Sequence, residues 1–506
     1  MLSAVRDNLV MLQVVVPLLS AVVCSLLRCR VSTVQVFACG AVACSFFVAL
    51  LLFCEVYFGA PVVYRVGGWS TNYGIELRVD LLSATLVLLV NFIGLMSAIY
   101  GVYPSRKEIS TEKVPKFYAT FLLSLTGLLG ILVSNDAFNV YVFLEISSIT
   151  AYVLVAMGGY KGSLVSAFEY LVIGTVGATF YLLGIGFLYA ATGTLNMGNM
   201  FSILQVVPMD KTVYAGIFFV MLGLVMKAAL YPFHGWLVRA YATSPAFIAV
   251  FLSGTATKVM IYLVIRVIYG VFGEQIVFSV LPFGKILLAL AALATVAASV
   301  FAVISKDIKD VLAYSSVANI GCIMYAVGLN TYAGLAAALA YMVNHSVVKS
   351  ALFMVSGGIS YHFGRGDVGK CLSLSRVMPN IASAYVLLSL SLVGMPPTLG
   401  FVAKWHMLSS FASAQAWVGL MALSMGSVCS VLYTWKMVEY LYFAPRMVDG
   451  CANDISIETP KAMVLCIWLM ACLGLAVGAY PVPLTSITEQ IAHDLISGPA
   501  DSQLMG

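Results

Sequence analysis

Residues 217–236 read IFFVMLGLVMKAALYPFHGW. An unbroken apolar run carries the chain up to Lys227, and Pro232 follows five residues later. Proline inside a helix removes a backbone hydrogen bond and clashes with the preceding turn. In a membrane such a break persists where protein or water satisfies the freed carbonyls. A charge at bilayer depth costs roughly 2.5–3.5 kcal/mol even on the lenient insertion scale, so it marks a polar path or a partner. A second segment of this kind lies at residues 388–404, LSLSLVGMPPTLGFVAK, where Pro396 and Pro397 interrupt the run and Lys404 follows. Paired broken helices at corresponding positions of two halves point to an inverted-repeat transporter.

Composition agrees with a membrane setting. The 506 residues are 62% hydrophobic and 9% charged, with mean hydropathy +1.01; soluble domains carry about 25% charged residues. Cations are scattered over short loops, so the net charge of +5 indicates no nucleic-acid partner. Eleven cysteines, an odd number lying mostly in apolar segments without a C-x-x-C pair, read as small packing residues. The first apolar stretch lacks a convincing cleavage site and reads as an uncleaved helix.

Runs long enough to cross a bilayer, about 17–25 residues each, fall at 8–28, 31–58, 80–102, 117–134, 137–157, 166–191 and 213–231. Seven more fall at 245–270, 278–304, 310–329, 332–358, 379–411, 416–444 and 461–481. The expected fold is therefore an all-α polytopic membrane protein of about fourteen spans. With odd-numbered loops inside, the inner side holds Arg28, Arg30, Arg106, Lys107, Lys113, Lys116, Lys161, Arg239, Lys306, Lys309, Arg365, Lys370, Arg376, Arg446 and Lys461. The outer side holds only Arg6, Arg65, Arg78, Lys211 and Lys285. That bias follows the positive-inside rule and puts both termini outside a bacterial cell membrane.

The broken spans are five apart, an odd number, so a second five-helix unit enters the membrane from the opposite side. The expected organisation is a three-helix segment at 1–110 and a first five-helix repeat at 117–270. A second, inverted repeat follows at 278–444, then a C-terminal helix and tail at 461–506. Within that tail, 484–497 reads as a short, weakly amphipathic surface stretch.

Six Lys and Arg side chains and one acid lie inside apolar runs. Glu145 shares a helix face with Tyr141, Ser148 and Tyr152. It lies about 12 Å below the preceding loop at 1.5 Å per residue. Lys227 has no acid within reach on its own helix. A carboxylate brought close favours the protonated ammonium and one withdrawn lets the proton go, so Glu145 and Lys227 read as a switch. Lys258 sits too deep to snorkel. His345 and Lys349 share a face with Tyr341, and histidine with a base near neutrality is a natural relay element. Lys404 mirrors Lys227 in the other half. His234, Tyr314 and Ser315 read as water-holding groups near helix ends, alongside Tyr141 and Ser148, and His406 reads as structural. Arg266 and Lys436 read as end-of-helix residues, the first snorkelling outward and the second paired with Glu439. No phosphate loop, metal constellation, nucleophile triad or nicotinamide or flavin site stands out. No cofactor, metal or catalytic site of its own is expected.

Four blocks in order carry a resemblance: FNVYVFLEISSITAYVLVA (138–156), KAALYPFHGWLVRAYATSPAFIAVFLSGTATKVMIYLVIRV (227–267), KDIKDVLAYSSVANIG (306–321) and LVGMPPTLGFVAKWHML (392–408). Together they resemble the proton-translocating antiporter-like superfamily, shared by the large membrane-arm subunits of complex I and by subunits of the Mrp-type cation/proton antiporters. GGWSTNYGIELRVDLLSA (67–84) and GFVAKWHML (400–408) look most like the D-type subunit of the Mrp group. The resemblance implies fourteen core helices, two inverted repeats and a central polar axis joined by water. It matches Glu145 to the pumping glutamate, Lys227 to the broken-helix lysine and Lys258 to the bridging lysine. His345 and Lys349 match the relay, and Lys404 the exit lysine. It also implies other membrane subunits as partners and an exchange of H⁺ for Na⁺ or K⁺. The alternative is a proton-pumping membrane subunit of NADH:quinone oxidoreductase, and a third reading is a scaffold without conduction. One departure stands out. Members read LPDAH where this chain has Leu237-Val238-Arg239-Ala240-Tyr241, so a cation replaces the usual acid.

Overall fold

The computed structural model describes residues 2–27, 30–71, 73–364, 374–443 and 458–497. Arg28, Arg365, Lys370 and Arg446 of the charge pattern lie outside these residues, as does the end of the tail. The chain begins with α1 (Leu2–Leu26) and α2 (Val31–Phe58). An antiparallel hairpin follows, β1 (Val62–Arg65) pairing with β2 (Glu76–Val79) so that Val62 faces Val79 and Arg65 faces Glu76. Then come α3 (Leu81–Glu108), α4 (Val114–Val133), α5 (Ala137–Ala156), α6 (Ser163–Thr192), the short α7 (Met197–Leu204) and α8 (Lys211–Lys227). Next are α9 (Gly235–Thr243), α10 (Ala246–Gly254), α11 (Ala256–Val267), α12 (Phe283–Ile304), α13 (Ile308–Gly328) and α14 (Tyr332–Phe363). The chain ends with α15 (Leu374–Val377), α16 (Pro379–Val393), α17 (Leu399–Ser413), α18 (Trp417–Val438), α19 (Lys461–Ala479) and α20 (Val482–Ile496).

Among the described residues, twelve helical segments are long and apolar enough to cross a membrane, which makes the protein a multi-pass, all-α integral membrane protein. The stretches expected as the two proline-broken spans are not among the twelve. The first is cut to the 17 residues of α8, and the second is divided into α16 and α17 of 15 residues each. A third break was not visible in the apolar pattern. Thr255 leaves helical geometry at φ −120° and ψ −60°, separating α10 from α11. Its hydroxyl is turned back onto the Phe251 carbonyl at 2.7 Å.

Helix starts are written locally. Asp80, Asp136, Asn196, Asp210, Thr331 and Thr398 each accept a backbone N–H from the first turn of the helix they precede. Each cap satisfies an otherwise orphaned donor and is worth about 1 kcal/mol. The centre of the bundle is α10, α11, α13 and α14, almost wholly covered by other helices, whereas α1, α2, α6, α18 and α19 form the exposed periphery. Lys258, on α11, and His345 and Lys349, on α14, therefore ride on the elements with least access to lipid. The stretch expected at 484–497 is α20, which packs against α14.

Two end-of-helix residues behave differently from expectation. Arg266 does not snorkel. It grips both oxygens of Asp80, at 2.6 and 2.7 Å, and reaches the Ser83 hydroxyl at 2.9 Å and the Tyr262 hydroxyl at 3.2 Å. Burial pushes the Asp80 carboxyl up, but the guanidinium outweighs it and holds the group down at about 2. This pair clamps the start of α3 to the end of α11. Lys436 forms no ion pair with Glu439 among the described residues. Its ammonium instead caps the end of α12 by donating to the carbonyls of Val303 at 3.1 Å and Ser305 at 2.8 Å.

Candidate functional site

The first broken helix presents Lys227. After it the chain leaves helical geometry through Ala229, at φ 57°, and a cis Tyr231–Pro232 peptide, before α9 resumes at Gly235. Lys227, only 5% exposed, lies 3.8 Å from the Glu145 carboxylate, which is 22% exposed. Its ammonium donates to the Ser148 hydroxyl at 2.7 Å. The near Glu145 oxygen accepts no hydrogen bond from any described residue. At 3.8 Å the two groups attract without the directional bond that would lock them. The expected helix face is real but turned: Ser148 and Tyr152 are buried, Tyr141 is half-buried, and Glu145 lies toward the helix side carrying the exposed Phe138 and Ile149. A small cavity opens beside Lys227, lined by Ser147, Ser148, Tyr152, Tyr170 and Trp236.

Further along, Lys258 is fully buried, and its ammonium donates to the Ser253 carbonyl of α10. The break at Thr255 makes that contact available, because the last carbonyls of α10 have lost their helical partners. His345 is also buried, and neither ring nitrogen has a hydrogen-bond partner among the described residues. It lies within electrostatic reach of both Lys258 and Lys349. Lys349 in turn feels Lys258 and Lys404, and donates to the Leu312 carbonyl at 3.1 Å and to the Ser315 hydroxyl on α13. Tyr341 holds Asn319 at 3.0 Å.

Lys404 closes the row at the second broken helix. Gly394 takes φ 92°, a conformation that favours glycine, and a cis Pro396–Pro397 peptide follows. The ammonium donates to the last carbonyls of α16, Leu392 at 3.0 Å and Val393 at 2.8 Å. A second cavity beside it is lined by Thr295, Ser299, Asn319, Cys322 and Tyr433.

The row is thus brought together from α5, α8, α11, α14 and α17. Glu145 and Lys227 form an ion pair, whereas Lys258, His345, Lys349 and Lys404 feel one another's charge with no hydrogen bond joining them among the described residues. No hydrogen bond or ion pair among the described residues joins Lys227 to Lys258. The helices that surround Lys258 nevertheless contribute Leu252, Ala256 and Met260 to the Lys227 cavity. Of the candidate water-holding groups, His234 stacks on Tyr231 at 5.0 Å and approaches Tyr314 at 6.3 Å. His406 makes no hydrogen bond or ion pair with the row among the described residues. The groups missed from sequence are Ser253 and Thr255 beside Lys258, the hydroxyls around Lys404, and the aromatic wall of Tyr170 and Trp236. Ser253-Gly254-Thr255 inside an apolar run was a usable signal for the first of these. Among the described residues, no group of three or more His, Cys, Asp or Glu side chains could hold a metal ion.

Every ammonium in the row rests on neutral carbonyl or hydroxyl oxygens, and a single carboxylate faces one end. Such oxygens support a lysine in either protonation state without a fixed counter-charge.

The chain is similar to known proteins over most of its length. The NADH-quinone oxidoreductase subunit N of Desulforudis audaxviator is 37% identical over 87% of both chains. The D-type Na(+)/H(+) antiporter subunit of Alkalihalophilus pseudofirmus is 30% identical over 97% of both. Among solved structures, a chain of the Mrp complex from Dietzia superposes with a TM-score of 0.85 at 23% identity, covering 97% of this chain and 98% of that one. A chain of the archaeal membrane-bound sulfane sulfur reductase reaches 0.87 at 26% identity, with the same coverages. The family model described as NADH:quinone oxidoreductase/Mrp antiporter, transmembrane, matches residues 134–430, a span containing every member of the row. The chain belongs to the family of proton-antiporter membrane subunits shared by NADH:quinone oxidoreductase and the Mrp antiporters.

Proposed function

We propose that this protein is a membrane subunit of a multi-subunit monovalent cation/proton antiporter, moving H⁺ against Na⁺ or K⁺. The observation that carries the reading is the row of buried titratable groups ending in an openable Glu145–Lys227 pair. Protons pass from Lys227 to Lys258, then by His345 and Lys349 to Lys404, and the distance between Glu145 and Lys227 sets when Lys227 lets its proton go. Residues 117–270 and 278–444 are the two inverted five-helix repeats, flanked by 1–110 and 461–506. Fourteen crossings, the two broken segments included, leave both termini on the outer side of a bacterial cell membrane. The broken helices at Pro232 and at Pro396–Pro397 support this division, and so does the loop charge bias. The relatives named as antiporter subunits match along nearly the whole chain, which supports partnership with other membrane subunits of such an assembly.

The test uses the assembled complex in proton-loaded vesicles. Addition of Na⁺ or K⁺ should drive proton flux, and Glu145→Ala should abolish it while the complex still assembles; undiminished flux in that variant sinks the reading. A second reading, a proton-pumping subunit of NADH:quinone oxidoreductase, is favoured by the 37% identical relative. Purification of the native complex separates the two. Small antiporter subunits support the first, and iron–sulfur and quinone-site subunits with NADH-driven pumping support the second.

A further inference from the structure

Arg239 occupies the position where the resemblance leads one to expect an acid, and the structure shows what it does there. Its guanidinium pairs with Glu169 of α6; Arg239 is 61% exposed and Glu169 32%. The adjacent α6 residue, Tyr170, stacks face to face on Trp236 of α9, with ring centroids 4.2 Å apart and planes within 9°. Trp236 and Arg239 are three residues apart, on one face of α9. Two side-by-side contacts therefore dock the same face of α9 onto α6. With nine residues, α9 is too short to be stable alone, and its packing against α6 and α13 holds it in place.

The Trp236–Tyr170 stack reaches the proposed switch from both ends. The Trp236 indole donates to the Met226 carbonyl at 3.3 Å, one residue before Lys227. On its other flank Tyr170 meets the edge of Tyr152 at 4.6 Å. Tyr152 belongs to α5, the helix of Glu145 and Ser148, and its hydroxyl lies where a Cβ on Gly174 of α6 would fall. The aromatic stack thus spans the helices of both Glu145 and Lys227 and walls the cavity between them. We propose that Arg239 and Glu169 are a positioning pair that, through Trp236 and Tyr170, sets the Glu145–Lys227 separation and so couples proton movement to cation exchange. The proposal rests on the Glu145–Lys227 pair being the switch.

Charge reversal tests it in the assembled complex. Arg239→Glu and Glu169→Arg should each lower cation-driven proton flux per assembled complex about two- to fivefold, the scale of a partly exposed ion pair, and raise cation-independent proton leak. The double reversal should restore both, and Arg239→Lys should retain most of the exchange. If a reversal prevents assembly, the neutral variants Arg239→Gln, Glu169→Gln and their combination replace it. The three should be equally impaired, since one broken pair is broken once. Unchanged flux and leak in the single variants, a double reversal no better than the singles, or neutral losses that multiply would overturn the pair. Glu145→Gln in the same vesicles separates the two failures. Exchange that survives it sinks the switch itself; exchange lost there, with the Arg239 and Glu169 variants at wild-type level, sinks only the positioning pair.

Discussion

Lys227 and Lys404 both sit at proline-broken helices, each beside a small cavity lined by hydroxyls, yet the two breaks hold their lysines in opposite ways. Lys227 is the last residue before its break and faces a carboxylate on another helix, 3.8 Å away. Lys404 comes after its break and turns back onto the helix end it follows, donating to the Leu392 and Val393 carbonyls. A cation at a helix C-terminus is stabilised by the orphaned carbonyls and the aligned dipoles there. The contrast suggests a division of labour: a paired lysine responds to the position of its acid, whereas a capped one offers a fixed resting place.

The sharpest way to break this comparison is at Glu145, the only acid in the row. Glu145→Gln keeps the size and removes the charge. Cation-driven flux should fall by about 100-fold or more, the scale of losing a positioned proton-transfer group, with the amount of assembled complex unchanged. No acid stands opposite Lys404 among the described residues, so no equivalent loss can be produced there by neutralising a partner.

Lys404 itself should show a mixed effect of about 10- to 100-fold. Lys404→Met removes the last proton stop and also leaves the Leu392 and Val393 carbonyls buried without their donor, which costs about 1–3 kcal/mol per unsatisfied group. Thermal stability of the assembled complex should drop together with flux. Lys404→Arg, which keeps the cap, should recover the stability but little of the flux, because a guanidinium stays charged. Equal recovery of both would show that Lys404 only caps α16.

How these two ends could be read from sequence differs in the same way. Lys, Glu and Pro inside apolar runs are expensive in a bilayer, so Glu145, Lys227, Lys404 and both proline breaks stood out at once. The partners were harder. Serine, threonine and tyrosine are common in transmembrane helices and carry no charge, so Thr295, Ser299 and Tyr433 gave no signal of their own. Arg266 looked like a snorkelling residue because its partner, Asp80, lies 186 residues away, beyond any helical spacing. The break at Thr255 was hidden because Ser253-Gly254-Thr255 interrupts hydropathy only slightly. The hairpin at Val62–Val79 fell in a loop too short to look like a separate element.

A smaller effect is expected at Ser148, whose hydroxyl accepts from Lys227 at 2.7 Å. Ser148→Ala removes one hydrogen bond to a charged group, worth about 1.5–3 kcal/mol, but leaves Glu145 free to take over the ammonium. Flux should fall only a few-fold, and the pH dependence of exchange should change shape, since Lys227 then answers to Glu145 alone. A loss as large as that of Glu145→Gln would make Ser148 a proton carrier in its own right.

The backbones of the two breaks allow the finest comparison. Ala229 sits at φ 57° in the first and Gly394 at φ 92° in the second. A left-handed conformation costs an L-residue with a Cβ about 1–2 kcal/mol, so the first break carries a strain that the second avoids. Gly394→Ala should lower the stability of the complex, because the left-handed backbone costs more than the roughly 0.5–1 kcal/mol of unfolded-chain freedom that the methyl group removes, and a Cβ there would also meet the Lys404 side chain at 2.8 Å. Ala229→Gly relieves the strain but gives the unfolded chain about 0.5–1 kcal/mol of extra freedom, so its net gain should be no more than about 1.5 kcal/mol. Thermal midpoints of the two purified variants should move in opposite directions, with the larger shift at Gly394. If Ala229→Gly instead destabilises, the methyl group of Ala229, fully buried, contributes more by packing than its backbone loses, and the strain at the Lys227 break is repaid on the spot by its neighbours.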